Sequence, residues 1–292
     1  MNSFLQNLLT DGPVLTDGAW GTQLQQRGLA FGACPDAWNL TNPDLVSQVA
    51  AGYVAAGSKV ILSNTFGATR ITLDRHGLSP LASDINRAGA TISRTAAGEE
   101  CSVFASMGPS GKMLAMGEVT EAQLLAAFTE QAIAMAEGGA NAIVVETMSD
   151  PEEAVIAVRA AKSSGLPVVA CMTYGSGRSA DRTIMGTTPE QAADALLGAG
   201  ADLVGANCGQ GAEQMVGICE RLRTASGMPV WMKPNAGLPQ IVDGAAVYST
   251  SPQEFAANVM LLVDAGAGFV GGCCGTSPEF ITALGAALND RK

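Results

Sequence analysis

The chain has 292 residues, 47% of them hydrophobic, 15% charged and 5% aromatic, with 35 glycines and a formal net charge of −11. That composition supplies the core of one large α/β domain or two smaller ones and carries too little charge for widespread disorder. With 16 Lys+Arg against 27 Asp+Glu it is a poor binder of a phosphate backbone, so nucleic acid is not an expected partner.

No run approaches the roughly 18–20 apolar residues of a membrane span. The opening MNSFLQNLLTDG lacks the basic and apolar regions of an export signal, so a cytoplasmic, reducing location with free thiols is expected. The first apolar segment falls at 14–18, and seven more follow at 59–66, 102–109, 142–148, 167–174, 202–208, 229–235 and 269–274. They are short, rich in Val and Ile and apolar on both faces, as parallel strands covered by helices are. Six times a helix-like run closes on a glycine about two residues before such a segment: Gly57, Gly139, Gly165, Gly200, Gly227 and Gly266.

Helix starts are marked as regularly. Thr120-Glu-Ala-Gln123, Ser149-Asp-Pro-Glu152, Thr188-Pro-Glu-Gln191 and Ser251-Pro-Gln-Glu254 read as capping boxes, and Asn42-Pro43 and Ser277-Pro278 as looser starts. The runs behind them, such as 121–138 and 190–198, are alanine-rich and mostly amphipathic. Eight strand–helix units predict a single TIM (β/α)8 barrel domain over residues 1–292. A doubly wound sheet is the alternative, but no Gly-rich dinucleotide fingerprint follows the first strand.

A barrel of this kind uses the C-terminal ends of its strands for chemistry. Those ends carry Asp17, Asn64-Thr65, Ser110, Glu146, Thr173, Cys208, Asn235 and Cys273-Cys274, while the strand bodies are apolar. Of the seven cysteines, Cys34, Cys101, Cys171 and Cys219 are scattered singly and read as small core hydrophobes. Cys208, Cys273 and Cys274 instead end the sixth and eighth strands. Three soft sulfurs converging on one ion select zinc, and three protein ligands leave the open fourth position of a catalytic site. Three thiolates and Zn²⁺ sum to −1, a poor centre for making hydroxide but a good one for keeping an added sulfur deprotonated and nucleophilic. The chemistry implied is alkylation of a substrate thiol. Buried free cysteines or a vicinal Cys273–Cys274 disulfide are the alternatives.

The runs Asp17-Gly-Ala-Trp-Gly-Thr22, Ser63-Asn-Thr-Phe-Gly-Ala-Thr69, Gly205-Ala-Asn-Cys208, Lys233-Pro-Asn-Ala-Gly237 and Gly271-Gly-Cys-Cys-Gly-Thr276 together resemble the homocysteine S-methyltransferase family. Within it they look most like the homocysteine-binding barrel of cobalamin-dependent methionine synthases. The resemblance runs from about residue 11 to 290. It implies zinc held by Cys208, Cys273 and Cys274, homocysteine sulfur as exchangeable fourth ligand, and Asn235 as oxygen donor when substrate is absent. It also implies that Glu146 grips the substrate ammonium, that Asp17 shapes that pocket, and that Thr65 and backbone amides near Gly18 receive the carboxylate. One departure is Ala19-Trp20, where many relatives have Gly-Met; Trp20 either packs over the substrate or fills space. His76, the only histidine, reads as a loop residue, and Lys233 as a contact for a barrel carboxylate with no assigned role.

No second barrel for a folate, no corrinoid module and no D-x-H-x-x-G signature is present in these 292 residues, so the methyl group is expected from elsewhere. The run 233–239 favours methylcobalamin on a separate corrinoid protein that methylates homocysteine, or another small thiol, to methionine. The alternative donors are S-methylmethionine or betaine, for which the three Trp and three Tyr would make a sparse cationic cage. A zinc-holding, non-catalytic assembly module is the alternative of another class.

Overall fold

The computed structural model describes residues 1–238, 240–242 and 245–291. Pro239, at the end of the run 233–239, and Lys292, the last residue of the expected domain, lie outside the described residues. Eight parallel strands follow one another: β1 (Val14–Leu15), β2 (Val60–Leu62), β3 (Ser102–Met107), β4 (Ala142–Met148), β5 (Val168–Met172), β6 (Leu203–Gly211), β7 (Val230–Asn235) and β8 (Ala267–Val270). Each pairs with the next in sequence from β2 to β8, β8 pairs with β1, and the bridge from Thr16 to Val60 closes the ring. The expected (β/α)8 barrel is therefore the observed fold.

Helices follow each strand, among them Pro43–Ala55, Ala82–Ala97, Glu121–Glu137 and Pro278–Asn289. Their apolar faces and the outer faces of the strands form one continuous buried cluster that includes Tyr53, Phe128, Met135 and Phe255. The barrel interior is a second cluster, built from residues that alternate with the first along each strand. Its centre is an aromatic stack: Trp231 lies 5.6 Å from Phe104 and 5.4 Å from Phe269, centroid to centroid. An unexpected N-terminal helix, Ser3–Leu8, buries Leu5 in that interior and sets Phe4 6.1 Å from Phe104, plugging the bottom of the barrel. Chemistry is thereby confined to the other end.

The six glycine pivots all have positive φ, between 65° and 105°. Thr120 and Thr188 form complete capping boxes, and Ser251 caps Glu254 N. At the fourth expected box the cap is Asp150 rather than Ser149: Pro151 takes the first helical position, and the Asp150 carboxylate accepts the Glu152 N–H at 2.9 Å. Strand limits also differ. The eighth strand ends at Val270, because Gly271 lies tight against Thr16 and Asp17 and the chain then bends to bond elsewhere: Gly272 N donates to Asp17 O and Cys273 N to Pro234 O. The sixth strand runs on past Cys208 to Gly211, with a register break between Asn207 and Gly211. A short antiparallel hairpin of Gln240–Val242 and Ala245–Val247, absent from the sequence reading, follows β7.

Candidate active site

The strand ends surround a cavity of about 780 Å³, an ordinary size for a small-molecule site. Glu146, Lys233, Cys208, Cys273 and Cys274 line it, together with Gly18 and Ser106. The three sulfurs are within 4.8 Å of one another, and Cys208 Sγ is 3.8 Å from Cys274 Sγ. A tetrahedral zinc with bonds of about 2.3 Å separates its sulfurs by about 3.8 Å, so this edge already has the span of a ligand pair.

How the chain delivers these sulfurs is visible in the backbone. Cys208 has φ 61°, a left-handed conformation for a non-glycine residue, and Gly209 follows at 72°. Across this kink Asn207 reaches Glu146 while Cys208 lines the cavity. Cys273 and Cys274 sit in the loop after β8, where the Cys273 carbonyl accepts the Thr276 hydroxyl at 2.7 Å and the Cys274 carbonyl accepts Ala236 N–H at 3.0 Å. Both are free thiols.

Hydrogen bonds from Cys273 and Cys274 hold Cys208 down to about 3, while Cys273 is pushed well above the usual thiol range and Cys274 up to about 11. Three ionised thiols at this spacing need a positive ion among them. A further observation fits a metal: the Asn235 side-chain oxygen is buried without a hydrogen-bond partner, while the same amide stabilises the Cys208 sulfur. Turning that amide over would offer its oxygen to an ion held by the sulfurs. The donor set and this orphan oxygen fit zinc with an exchangeable oxygen ligand.

Glu146, near the end of β4, is 6% exposed. Its carboxylate receives the Ser106 hydroxyl on one oxygen and Asn207 Nδ2, at 3.3 Å, on the other. Burial raises its pKa, countered by the Lys233 ammonium and Ser106. Asn207 also receives the Thr147 N–H at 2.8 Å and donates to the Thr147 hydroxyl at 2.7 Å, which pins Thr147 at φ 61°. Ser106 and Asn207 were given no role from the sequence. A serine in an otherwise apolar strand, and an asparagine beside a metal-site cysteine, are the signals that could have marked them.

Other expected positions separate. Asp17 and Thr65 are fully buried but are not among the residues lining the cavity. The Thr65 hydroxyl donates to Ser106 O at 2.7 Å and so braces β3. Asp17 accepts Trp20 Nε1 and Leu62 N–H, both at 2.7 Å, and pairs with Lys233, which finds the barrel carboxylate expected for it. Ser110 is turned away, its N–H donated to Glu153 at 2.8 Å, and Thr173 supports β6 by donating to Asn207 O at 2.9 Å. His76 is exposed on the outer lip of the cavity beside Arg75. Cys101, Cys171 and Cys219 are buried as expected, whereas Cys34 is half-buried in the cavity wall beside Asp36.

Over residues 14–288 the chain matches the family model described as homocysteine S-methyltransferase. It is 33% identical to methionine synthase of Mycobacterium tuberculosis, over 99% of this chain and 26% of that protein. It is 30% identical to methionine synthase of Mycobacterium leprae, over 97% of this chain and 25% of that protein. The chain thus spans about a quarter of the length of these curated relatives. Homocysteine methyltransferase MmuM from Escherichia coli, in its metallated form, shares the fold with a TM-score of 0.81 at 23% identity, over 97% of this chain and 99% of that one. Because the family match takes in all eight strands and the loop that carries Cys273 and Cys274, the chain belongs to the homocysteine S-methyltransferase family, enzymes that transfer a methyl group to a thiol.

Proposed function

We propose that this chain is a zinc-dependent S-methyltransferase that converts homocysteine to methionine, the methyl group being delivered by methylcobalamin on a separate corrinoid protein. The observation that carries the reading is one cavity lined by three cysteines whose sulfurs lie within 4.8 Å of one another and by Glu146 with its buried carboxylate. Cys208, Cys273 and Cys274 would hold the metal, with Asn235 as its oxygen ligand before substrate enters. When bound, zinc supplies a soft positive centre that favours the ionised, nucleophilic form of the substrate sulfur.

The chain's own residues do the rest. Glu146 accepts the ammonium of the amino acid, and Ser106 and Asn207 fix its carboxylate so that little ordering remains to be done on binding. Backbone near Gly18, in the cavity wall, is the candidate for the substrate carboxylate, with Asp17 and Thr65 bracing the strands behind it. The lining is mostly apolar, and the open mouth is left to the donor. Among the described residues no helix is long and apolar enough to cross a membrane.

Trp20 and Phe66 in the cavity wall favour a second reading for the donor alone, a small onium compound such as S-methylmethionine or betaine held against aromatic faces. The test is to quantify zinc per chain in protein purified under reducing conditions and to follow methionine formation from homocysteine. Stoichiometric zinc with turnover on methylcobalamin is the expected result. Turnover on S-methylmethionine alone would move the donor to the second reading. Absence of zinc would overturn the mechanism.

A further inference from the structure

At the cavity one buried cation, Lys233, has two carboxylates near it and pairs with only one. Asp17 is fully buried and its oxygens are taken by three donors: Trp20 Nε1 and Leu62 N–H, each at 2.7 Å, and Lys233 Nζ. Lys233 is only 2% exposed, and its ammonium lies 5.9 Å from the centroid of the Trp231 ring. It lines the cavity together with Glu146, whereas Asp17 does not. Among the described residues Lys233 forms an ion pair with Asp17 but none with Glu146, although its charge acts on Glu146 through space.

We infer that Lys233 is a positioning residue: by pairing with Asp17 rather than with Glu146 it leaves the Glu146 carboxylate, at the cavity, without an ion-pair partner of its own, and so makes the site select thiols that carry an ammonium group. The inference rests on the proposed reading that Glu146 receives that ammonium. Asp17, Lys233 and Glu146 sum to −1, which matches one cationic group on a ligand. If Lys233 is removed, the Asp17 charge acts on Glu146 with no cation to offset it. Glu146 then loses the cation that favours its charge, while Asp17 keeps its N–H donors from Trp20 and Leu62. If Asp17 is removed instead, the freed Lys233 turns its charge on Glu146 and neutralises it. Removing both takes away the pull of Lys233 and the push of Asp17 on Glu146 together, and leaves its bonds from Ser106 and Asn207 in place. Trp20, the departure from Gly-Met noted in the sequence, enters here because its indole N–H makes a bond to Asp17 that a methionine cannot.

The test compares binding of homocysteine with binding of 4-mercaptobutanoate, which lacks only the amino group, to the zinc-loaded enzyme by calorimetry. The kcat/KM ratio for the two thiols is followed alongside. The wild type is expected to prefer homocysteine. Lys233→Met and Asp17→Asn are each expected to reduce that preference by about tenfold or more, as loss of a charge-assisted contact does. The double variant Asp17→Asn/Lys233→Met is expected to regain it. Replacing both members of a buried pair disturbs a fold less than replacing one, so the double variant also guards against a single that fails to fold. Single variants that keep the preference, or a double variant no better than the singles, would overturn the role of Lys233 and leave the ammonium reading standing. A wild type without any preference would overturn both.

Discussion

Asp36, in the cavity wall, is 4% exposed and accepts the Gly67 N–H at 3.0 Å. Burial pushes its carboxyl up to about 6, against the pull of that hydrogen bond and of Arg75. Between about pH 4 and 6 the folded chain therefore holds a proton that the unfolded chain has released, and stability falls as pH rises through that window. Asp36→Asn keeps an acceptor for Gly67 and removes the charge. It is expected to add up to about 3 kcal/mol at pH 8 and nothing near pH 3.5, read from urea unfolding of both proteins at the two pH values. An equal gain at both would show that ionisation is not the cause. Nothing in the sequence distinguished Asp36, because its burial depends on the segment before Trp38 folding back against Gly67.

At the scale of elements, most starts and stops were legible and the departures cluster at the site. Proline and threonine at helix starts act on their own next turn, so Thr120 and Thr188 cap as expected. The kink in β6 was not legible, since a run such as Leu203–Gly211 reads as an ordinary strand. Its left-handed Cys208 and Gly209 depend on what β5 presents to them. A Cβ at Gly209 would strike the Tyr174 carbonyl as well as strain a backbone at φ 72°. Gly209→Ala is therefore expected to displace Cys208 and to lower zinc affinity by about tenfold or more, with the barrel intact. Competition with a chromophoric chelator measures the affinity; unchanged affinity would mean that Cys208 tolerates a different turn.

For the whole molecule, the metal and the fold are separable. The sulfurs line the cavity beyond the strand bodies, while the stack of Phe104, Trp231 and Phe269 and the cluster between strands and helices hold the barrel together. Chelation of zinc is expected to abolish methyl transfer, leave the far-ultraviolet circular dichroism unchanged and lower the thermal midpoint only by the linkage of a bound ligand. Unfolding on chelation would instead make the ion part of the core.

The repeated strand–helix pattern, the caps, the pivots and the pairing of GANC with GGCCGT sufficed for the barrel, the family and the three sulfurs. Each of these is written in residues close in sequence or tied to a known end of a known element. Which polar groups face the cavity was decided only when the ring closed. Lys233 meets Asp17 across 216 positions, and Asn207 reaches Glu146 across 61. Thr65, at a strand end like Glu146, was turned to brace a neighbour instead. A strand end places a residue near the mouth of a barrel, but the stagger and local kinks of its neighbours choose the direction of the side chain.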